Sequence, residues 1–370
     1  MININKTFYV TTKRNTVDIE HFNNINEFVY NFLTDWKVKC KYLLSNIKQV
    51  EQYYAHKTTE FYYLDGNTFR VTCIPTNNKY LVGFSISAVL QIYDLFIQIS
   101  NSESCLNYLQ LNKGNTRNEH QTFIPFEFDE STIRLFPNTL PLSPINQKIA
   151  KKLSFIVLEY MLWHEVTHLW EGHNHYVKWR ADNNKQLSKT ENRALEWEAD
   201  RLAISRLMLT YLIDETIIPI FQIYYQRNGN DADKIIFNTM NSNPRKYIRS
   251  SLFSLLIYYW HFNDPIQDDY LDSDYPKHAA RAFYMINSLI SVLNHSLYKT
   301  WGFKEEYFMN DIAIPSVIDA KQCWDEITCT NTATENIVSV FSNRFALHEV
   351  KCFEKEITRI TNEIKKYKLG

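Results

Sequence analysis

The chain has 370 residues, enough for two modest domains or one large one with a substantial core. Charged residues make up 22% and apolar residues 45%, as in a globular rather than a disordered protein. The net charge of −1 provides no global field toward nucleic acid or an anionic membrane, and seven widely scattered glycines leave no GxxxxGK[ST] or GxGxxG turn for nucleotide chemistry by those routes.

In chain order, residues 1–75 mix short strand-like runs, "KTFYVTT" (6–12) and "TFRVTCI" (68–74), with a helix near 26–53 on which Phe28, Phe32 and Trp36 recur at helical spacing. The apolar run "YLVGFSISAVLQIYDLFIQIS" (80–100) contains Gln91, Asp94 and Gln98, so it predicts a buried helix rather than a membrane span. A polar, proline-bearing stretch follows over 115–146, with a short strand expected at "TIRLF" (132–136). A helix is predicted from about Gln147 to Glu171, stopped at Gly172. The polar run "HNHYVKWRADNNKQL" (173–187) reads as a loop, and the capping box Ser188-x-x-Glu191 opens a second helix reaching about Leu212. Further helices are expected over 216–370, with a turn near 268–276 and an amphipathic tail from about Asn336. The predicted organisation is an N-terminal α/β region over 1–145 with a substrate-side edge strand, then a helical catalytic region over 146–370, the two forming either separate domains or one.

Six cysteines with no CxxC pair, and an N-terminus without the charged-then-apolar layout of a signal peptide, predict reduced thiols in a cytoplasmic protein.

The chemistry concentrates in "MLWHEVTHLWEGHNHYV" (161–177). On a helix, His164 and His168 project the same way, and Glu165 lies about 100° round the axis. Two imidazoles at that spacing suit one Zn2+, with the glutamate as general base. The extended pattern HExxHxxGxxH needs glycine at 171 and histidine at 174, where this chain has Glu171 and Asn174. A third ligand is therefore expected from the next helix, "ENRALEWEADRLAISRLM" (191–208). Glu196 has Asp200 at i+4 and can share a face with a carboxylate that orients a ligating histidine, whereas Glu191 and Glu198 have leucines at that offset. Ala199 and Ala203 would let this helix approach the first closely. His173 and His175 read as loop residues, with a place beside the cleft as the alternative, and His261 reads as a core or cleft-wall histidine.

HExxH followed by Glu-x-x-Ala-Asp (196–200) resembles the gluzincin metallopeptidases, and this form of the second motif is similar to the HtpX-like and related families. The resemblance implies a zincin-like core within an α+β, mainly helical fold, with Glu196 as third zinc ligand and Asp200 as its support. It also points to "DYPKHAAR" (274–281) for an oxyanion stabiliser, with Tyr275, His278 and Arg281 as candidates. An early HExxH without a membrane span looks more like the Lit-like phage-exclusion peptidases, which cleave elongation factor Tu. That likeness implies a bacterial or prophage-encoded zinc endopeptidase acting on a protein substrate. A cell-killing protease must be held off until needed, by a phage peptide, an inhibitory partner or the C-terminal helix, and the charge and hydropathy predict no nucleic-acid partner and no membrane span. Two alternatives stay open: an ImmA/IrrE-like peptidase cleaving a repressor or antitoxin, and a non-catalytic zinc-stabilised scaffold. In this clan an edge strand above the metal pairs with extended substrate, a role the 132–136 segment is expected to take.

Overall fold

The computed structural model describes residues 4–46, 57–109, 133, 136, 143–215, 229–261, 278–294, 304–328 and 344–368. Helices dominate: α1 (Ile4–Thr12), α2 (Glu20–Asn23), α3 (Glu27–Asn46), α4 (Ile86–Ser100), α5 (Glu103–Tyr108), α6 (Pro144–Trp170), α7 (His173–Asp182) and α8 (Lys189–Glu215). After these come α9 (Asp231–Ile236), a π-helical turn at Phe237–Asn241, α10 (Pro244–His261), α11 (His278–Leu293), α12 (Glu305–Phe308), a second π turn at Met309–Ala313, α13 (Ile314–Thr328) and α14 (Arg344–Lys368). Strands β1 (Thr58–Leu64), β2 (Val71–Pro75) and β3 (Lys79–Ser85) form one small sheet in the order β1-β3-β2. Among the described residues no helix is long and apolar enough to cross a membrane.

The sheet is mixed. β1 runs parallel to β3 with Phe61 opposite Val82, while β2 runs antiparallel to β3 with Cys73 opposite Val82. β2 is therefore an edge strand, and α6 packs against it and against β3. The main buried cluster is continuous, drawing on Trp36 of α3, Phe84 of β3, Phe96 of α4, Trp163 of α6 and Ile360 of α14 alike.

Three local expectations are corrected. The strand-like "KTFYVTT" is helix α1, because Phe8 is needed on the outer face of the sheet, where it packs with Leu64, Ile74 and Leu81. The run 80–100 is not one helix: its first residues belong to β3, where β-branched and aromatic side chains suit a pleated surface, and α4 begins only where Ser85 accepts a hydrogen bond from the Ala88 amide. The predicted loop 173–187 contains helix α7. Gly172 takes a left-handed φ of +79°, which ends α6 and turns the chain so that a new helix starts at His173, with Tyr176 buried beneath it.

Of the strand expected at 132–136, Ile133 and Phe136 are described. Ile133 is helical, and both carbonyls accept from the Asn26 side chain. The edge strand beside the site is β2. The turn at 268–276 and the polar stretch 115–132 lie outside the described residues.

The capping box closes as expected: the Ser188 amide donates to Glu191 at 2.7 Å and the Glu191 amide to Ser188 Oγ at 3.1 Å. The tail is amphipathic, with Phe353, Ile357, Ile360 and Ile364 at helical spacing packed inward, and the Ile364 side chain closes over Gly172.

Candidate metal centre

Helix α6 is buried on nearly every side through its second half, with Leu158, Tyr160, Leu162, Trp163, Val166 and Leu169 almost wholly enclosed. A helix so enclosed is rigid, and it carries His164 and His168 one turn apart. Helix α8 packs directly on α6, and its alanines Ala199 and Ala203 are fully buried, leaving room for backbone approach. On α8, Glu196 and Asp200 are also one turn apart. The crossing brings His164 Nε2 and His168 Nε2 to 3.2 Å, and puts Glu196 oxygens 3.3 Å from the first and 3.6 Å from the second. One donor atom from each of His164, His168 and Glu196 lies within 4.8 Å of the other two.

The hydrogen-bond network determines which ring nitrogens bear protons. His164 Nδ1 is 2.8 Å from Asp200 Oδ1. That carboxylate also accepts two bonds from Arg281, at 2.7 and 2.6 Å, and one from the Tyr160 hydroxyl. Burial alone would raise its pKa, but Arg281 and His164 hold Asp200 well below the usual carboxylate range. An anionic Asp200 requires a proton on His164 Nδ1, which leaves Nε2 as a lone pair.

The second histidine is supported differently. His173 Nε2 lies 3.1 Å from Glu198 Oε2 and donates to it, so His173 Nδ1 is an acceptor. His168 Nδ1, 3.0 Å away, donates to that acceptor. His168 Nε2 is then also a lone pair.

Two imidazole lone pairs and a carboxylate thus converge on one point. Acceptors at these separations repel one another unless a proton or a cation sits among them. Without metal a proton takes that place: burial opposes it, but the hydrogen bonds to Asp200 and Glu196 push His164 up to about 10. Against the opposing effect of burial, the two histidines hold Glu196 down to about 2, and burial pushes His168 down to about 3.

A four-coordinate zinc with ligand bonds of about 2.0–2.1 Å sets its ligand atoms about 3.3–3.4 Å apart. The observed separations, 3.2 Å between the two imidazole nitrogens and 3.3 and 3.6 Å from them to the two Glu196 oxygens, lie close to that spacing. Two imidazoles and one carboxylate also form a ligand set that leaves a fourth position open. The residues present therefore fit a zinc ion.

Glu165 lies beside the triad in a cleft of about 570 Å3. Desolvation there raises its pKa, partly offset by the charge of His164. Its carboxylate is hydrogen-bonded by the Cys73 thiol of β2, and the Asn174 side-chain amide at the start of α7 donates to the same sulfur at 3.1 Å. Residues 69–73, which lead into and include the start of β2, form one wall of the cleft, while Tyr258 of α10 and Arg281 line it near the acidic ligand.

Comparison of the chain with protein-family models, with curated proteins and with solved structures finds no match. The site therefore rests on its own geometry.

The five residues expected on α6 and α8 come together: His164, Glu165, His168, Glu196 and Asp200. Arg281 reaches the site too, but with a different assignment. Two of its nitrogens are bonded to Asp200, so it anchors the carboxylate behind His164 rather than presenting those donors to an oxyanion. Tyr275 lies outside the described residues. His278 is the first residue of α11, and only its backbone is described.

His173 is not a loop residue; it is 1% exposed and bonded to His168. His175 is exposed, and the cleft lining does not include it. His261 packs edge-on against Trp324 of α13, as a structural histidine.

Sequence reasoning missed the relay of His173 and Glu198 and the contribution of Tyr160. Glu198 has leucine at i+4, yet it reaches His173 on α7 as well as Arg201 at i+3 on its own helix. The signal that was present is the glycine at 172: a helix stop four residues past His168 makes the chain turn there and can bring the next residues back beside the site.

Proposed function

We propose that the chain is a zinc-dependent endopeptidase. The observation that carries this reading is the convergence of the His164 and His168 lone pairs and the Glu196 carboxylate, with Glu165 and a strand edge that is unpaired among the described residues beside them. His164, His168 and Glu196 would hold the metal, which when bound supplies Lewis acidity and lowers the pKa of a water. Glu165 takes a proton from the attacking water as its oxygen bonds to the scissile carbonyl carbon, then returns that proton to the amine nitrogen as the C–N bond breaks. Asp200 and His173 each hold one histidine in the tautomer that leaves Nε2 bare.

The outer side of β2, unpaired among the described residues, would accept an extended peptide as an added strand and so set the substrate backbone across the cleft. Tyr258, which lines the cleft, is our candidate for the oxyanion donor first sought among Tyr275, His278 and Arg281. A closed structural site would need a fourth protein ligand. Of the nearby histidines, His173 has both nitrogens engaged and His175 lies outside the cleft, which favours the catalytic reading over the scaffold.

For the biological target we propose a host protein of the translation machinery, elongation factor Tu being the first to test, in an anti-phage role. This rests on the HExxH and ExxAD resemblance. Cleavage of a repressor or antitoxin is the competing outcome of the same experiment. The protein and its Glu165→Gln variant are expressed in a bacterial host with and without phage, and new protein termini unique to the active form are identified. One dominant cut in elongation factor Tu supports the proposed target, and a cut in a transcriptional repressor replaces it. Identical termini from both forms in every condition count against peptidase activity.

A further inference from the structure

The cleft beside the metal centre continues past the start of α8. A second cavity of about 570 Å3 adjoins it over the connector between α7 and α8, and the two share Val177, Leu187 and Asn192 in their linings. That volume falls within the range of ligand-sized sites, about 300–1,000 Å3. Its surface differs from that around the triad. The metal end carries Glu165 and Glu196, whereas the described lining of the second cavity holds no carboxylate. Val177, Ala181 and Leu187 supply apolar surface there, and Val177 is 40% exposed although its neighbour Tyr176 is buried. Lys185, the one charged residue of that described lining, has its Nζ 5.5 Å over the Trp179 ring.

The connector is fixed at both ends. The Asn184 and Lys185 amides donate to the Ala181 and Arg180 carbonyls at 3.0 and 2.8 Å, closing the end of α7. Arg180 donates to the Gln186 carbonyl at 2.7 Å, and the Ser188–Glu191 box begins α8 directly afterwards. The wall of the second cavity is therefore preformed, as binding clefts usually are.

Asn192 stands where the two cavities meet. It precedes Glu196 by four residues and Asp200 by eight, so it shares their face of α8, one turn nearer the helix start. Its backbone amide is spent on the Ser188 carbonyl, but its side-chain amide has no partner among the described residues. That group has two donors and an acceptor oxygen, which match the C=O and N–H of a peptide unit. Four residues of helix rise about 6 Å, and an extended chain covers about 3.3 Å per residue. A strand laid over the metal thus meets Asn192 about two residues from its scissile bond.

Resting on the peptidase reading above, we propose that Asn192 holds the substrate backbone about two residues from the cut, and that an aliphatic side chain of the substrate lies against Val177 and Leu187 in the second cavity. A charged side chain there would give up hydration without a carboxylate to pair with, and an aliphatic one covers apolar surface that is otherwise wet. The substrate is then an extended segment spanning both cavities. A segment paired within its own helix or sheet has no backbone groups left for Asn192 and the β2 edge.

The test uses the zinc-loaded full chain and a peptide library made by digesting a bacterial proteome. Aligned cleavage sites are expected to show leucine, isoleucine or valine at one fixed position two or three residues from the cut. Val177→Glu, at an exposed position, is expected to change that preference to lysine or arginine. Asn192→Ala is expected to weaken binding of the best-cleaved peptide to the Glu165→Gln form by about 10-fold, or about 1.4 kcal/mol, read by fluorescence anisotropy. The same peptide cut back to one residue on that side of the scissile bond is expected to bind both forms equally. Metal analysis and thermal unfolding check that each variant keeps its site and fold. Cleavage sites without a fixed aliphatic position, or an unchanged profile from Val177→Glu, overturn the subsite and leave the peptidase reading standing. Equal losses for the long and the shortened peptide overturn the backbone contact at Asn192. No cleavage by wild type overturns the peptidase reading and this subsite together.

Discussion

The two histidines of the motif sit on the same helix one turn apart, yet their supports have little in common. Behind His164 stands a buried carboxylate, Asp200, clamped by both arms of Arg281 and by the Tyr160 hydroxyl. Behind His168 stands another imidazole, His173, with the Glu198 carboxylate one step further out. A carboxylate in direct contact fixes the tautomer and also raises the basicity of the ring, whereas a relayed one fixes the tautomer with its charge farther off. The supports also have different origins. Asp200 comes from the same helix face as the ligand Glu196, while His173 depends on the chain break at Gly172. One half of the site is built by helical periodicity and the other by a turn.

Under the proposed chemistry the largest effect belongs to a residue outside both supports. Glu165→Gln should lower turnover by about 10²- to 10⁴-fold while metal content is unchanged, measured as peptide cleavage against metal analysis of the same sample. Metal lost along with activity would make Glu165 a structural part of the site. Next comes Asp200→Asn, expected to lower metal affinity by about 100-fold and to destabilise the fold by about 3–5 kcal/mol, since Arg281 is left buried without its counter-charge. Competition with a chelating dye and denaturant unfolding report the two effects.

Glu198→Gln should cost nearer 10-fold in metal affinity, at the low end for such supporting residues, because His173 still stands behind His168. Equal losses from the Asp200 and Glu198 variants would erase the distinction between the two supports.

The smallest effect on the metal is expected from Glu191, which caps α8. It accepts bonds from Tyr176 and Arg359 as well as from Ser188, and although burial opposes the shift, these hold its pKa down to about 2. A pKa lowered on folding contributes stability above the unfolded value of about 4.3, and that contribution is lost as pH falls from there toward the folded value. Glu191→Gln should therefore cost about 1.5–3 kcal/mol near neutral pH, with the gap to wild type closing as pH is lowered below about 4. Unfolding curves at several pH values check this. A gap independent of pH would mean that the lost interaction is not ionic.

The parts of the site legible in the sequence are those governed by a single helix period. His164, Glu165 and His168 follow from spacing on α6, and Glu196 with Asp200 from spacing on α8. The Ser188–Glu191 box and the apolar stripe of α14 were legible for the same reason. What was not legible depends on contacts between elements. Arg281 reads as a candidate oxyanion donor until α11 is seen to bring it to Asp200. His173 reads as a loop residue until Gly172 is seen to restart a helix there. The β3 strand was hidden inside a longer apolar run because Ser85 caps a helix at the strand's last residue.

The central claim is that His164, His168 and Glu196 hold one zinc with a position left open. X-ray absorption at the zinc edge of the wild-type protein tests it most directly. The account predicts two imidazoles and light oxygen or nitrogen atoms at about 2.0–2.1 Å, in a shell with no sulfur. A zinc–sulfur distance near 2.3 Å, which would bring Cys73 in as a ligand, or a third imidazole, which would bring in His173, would contradict it.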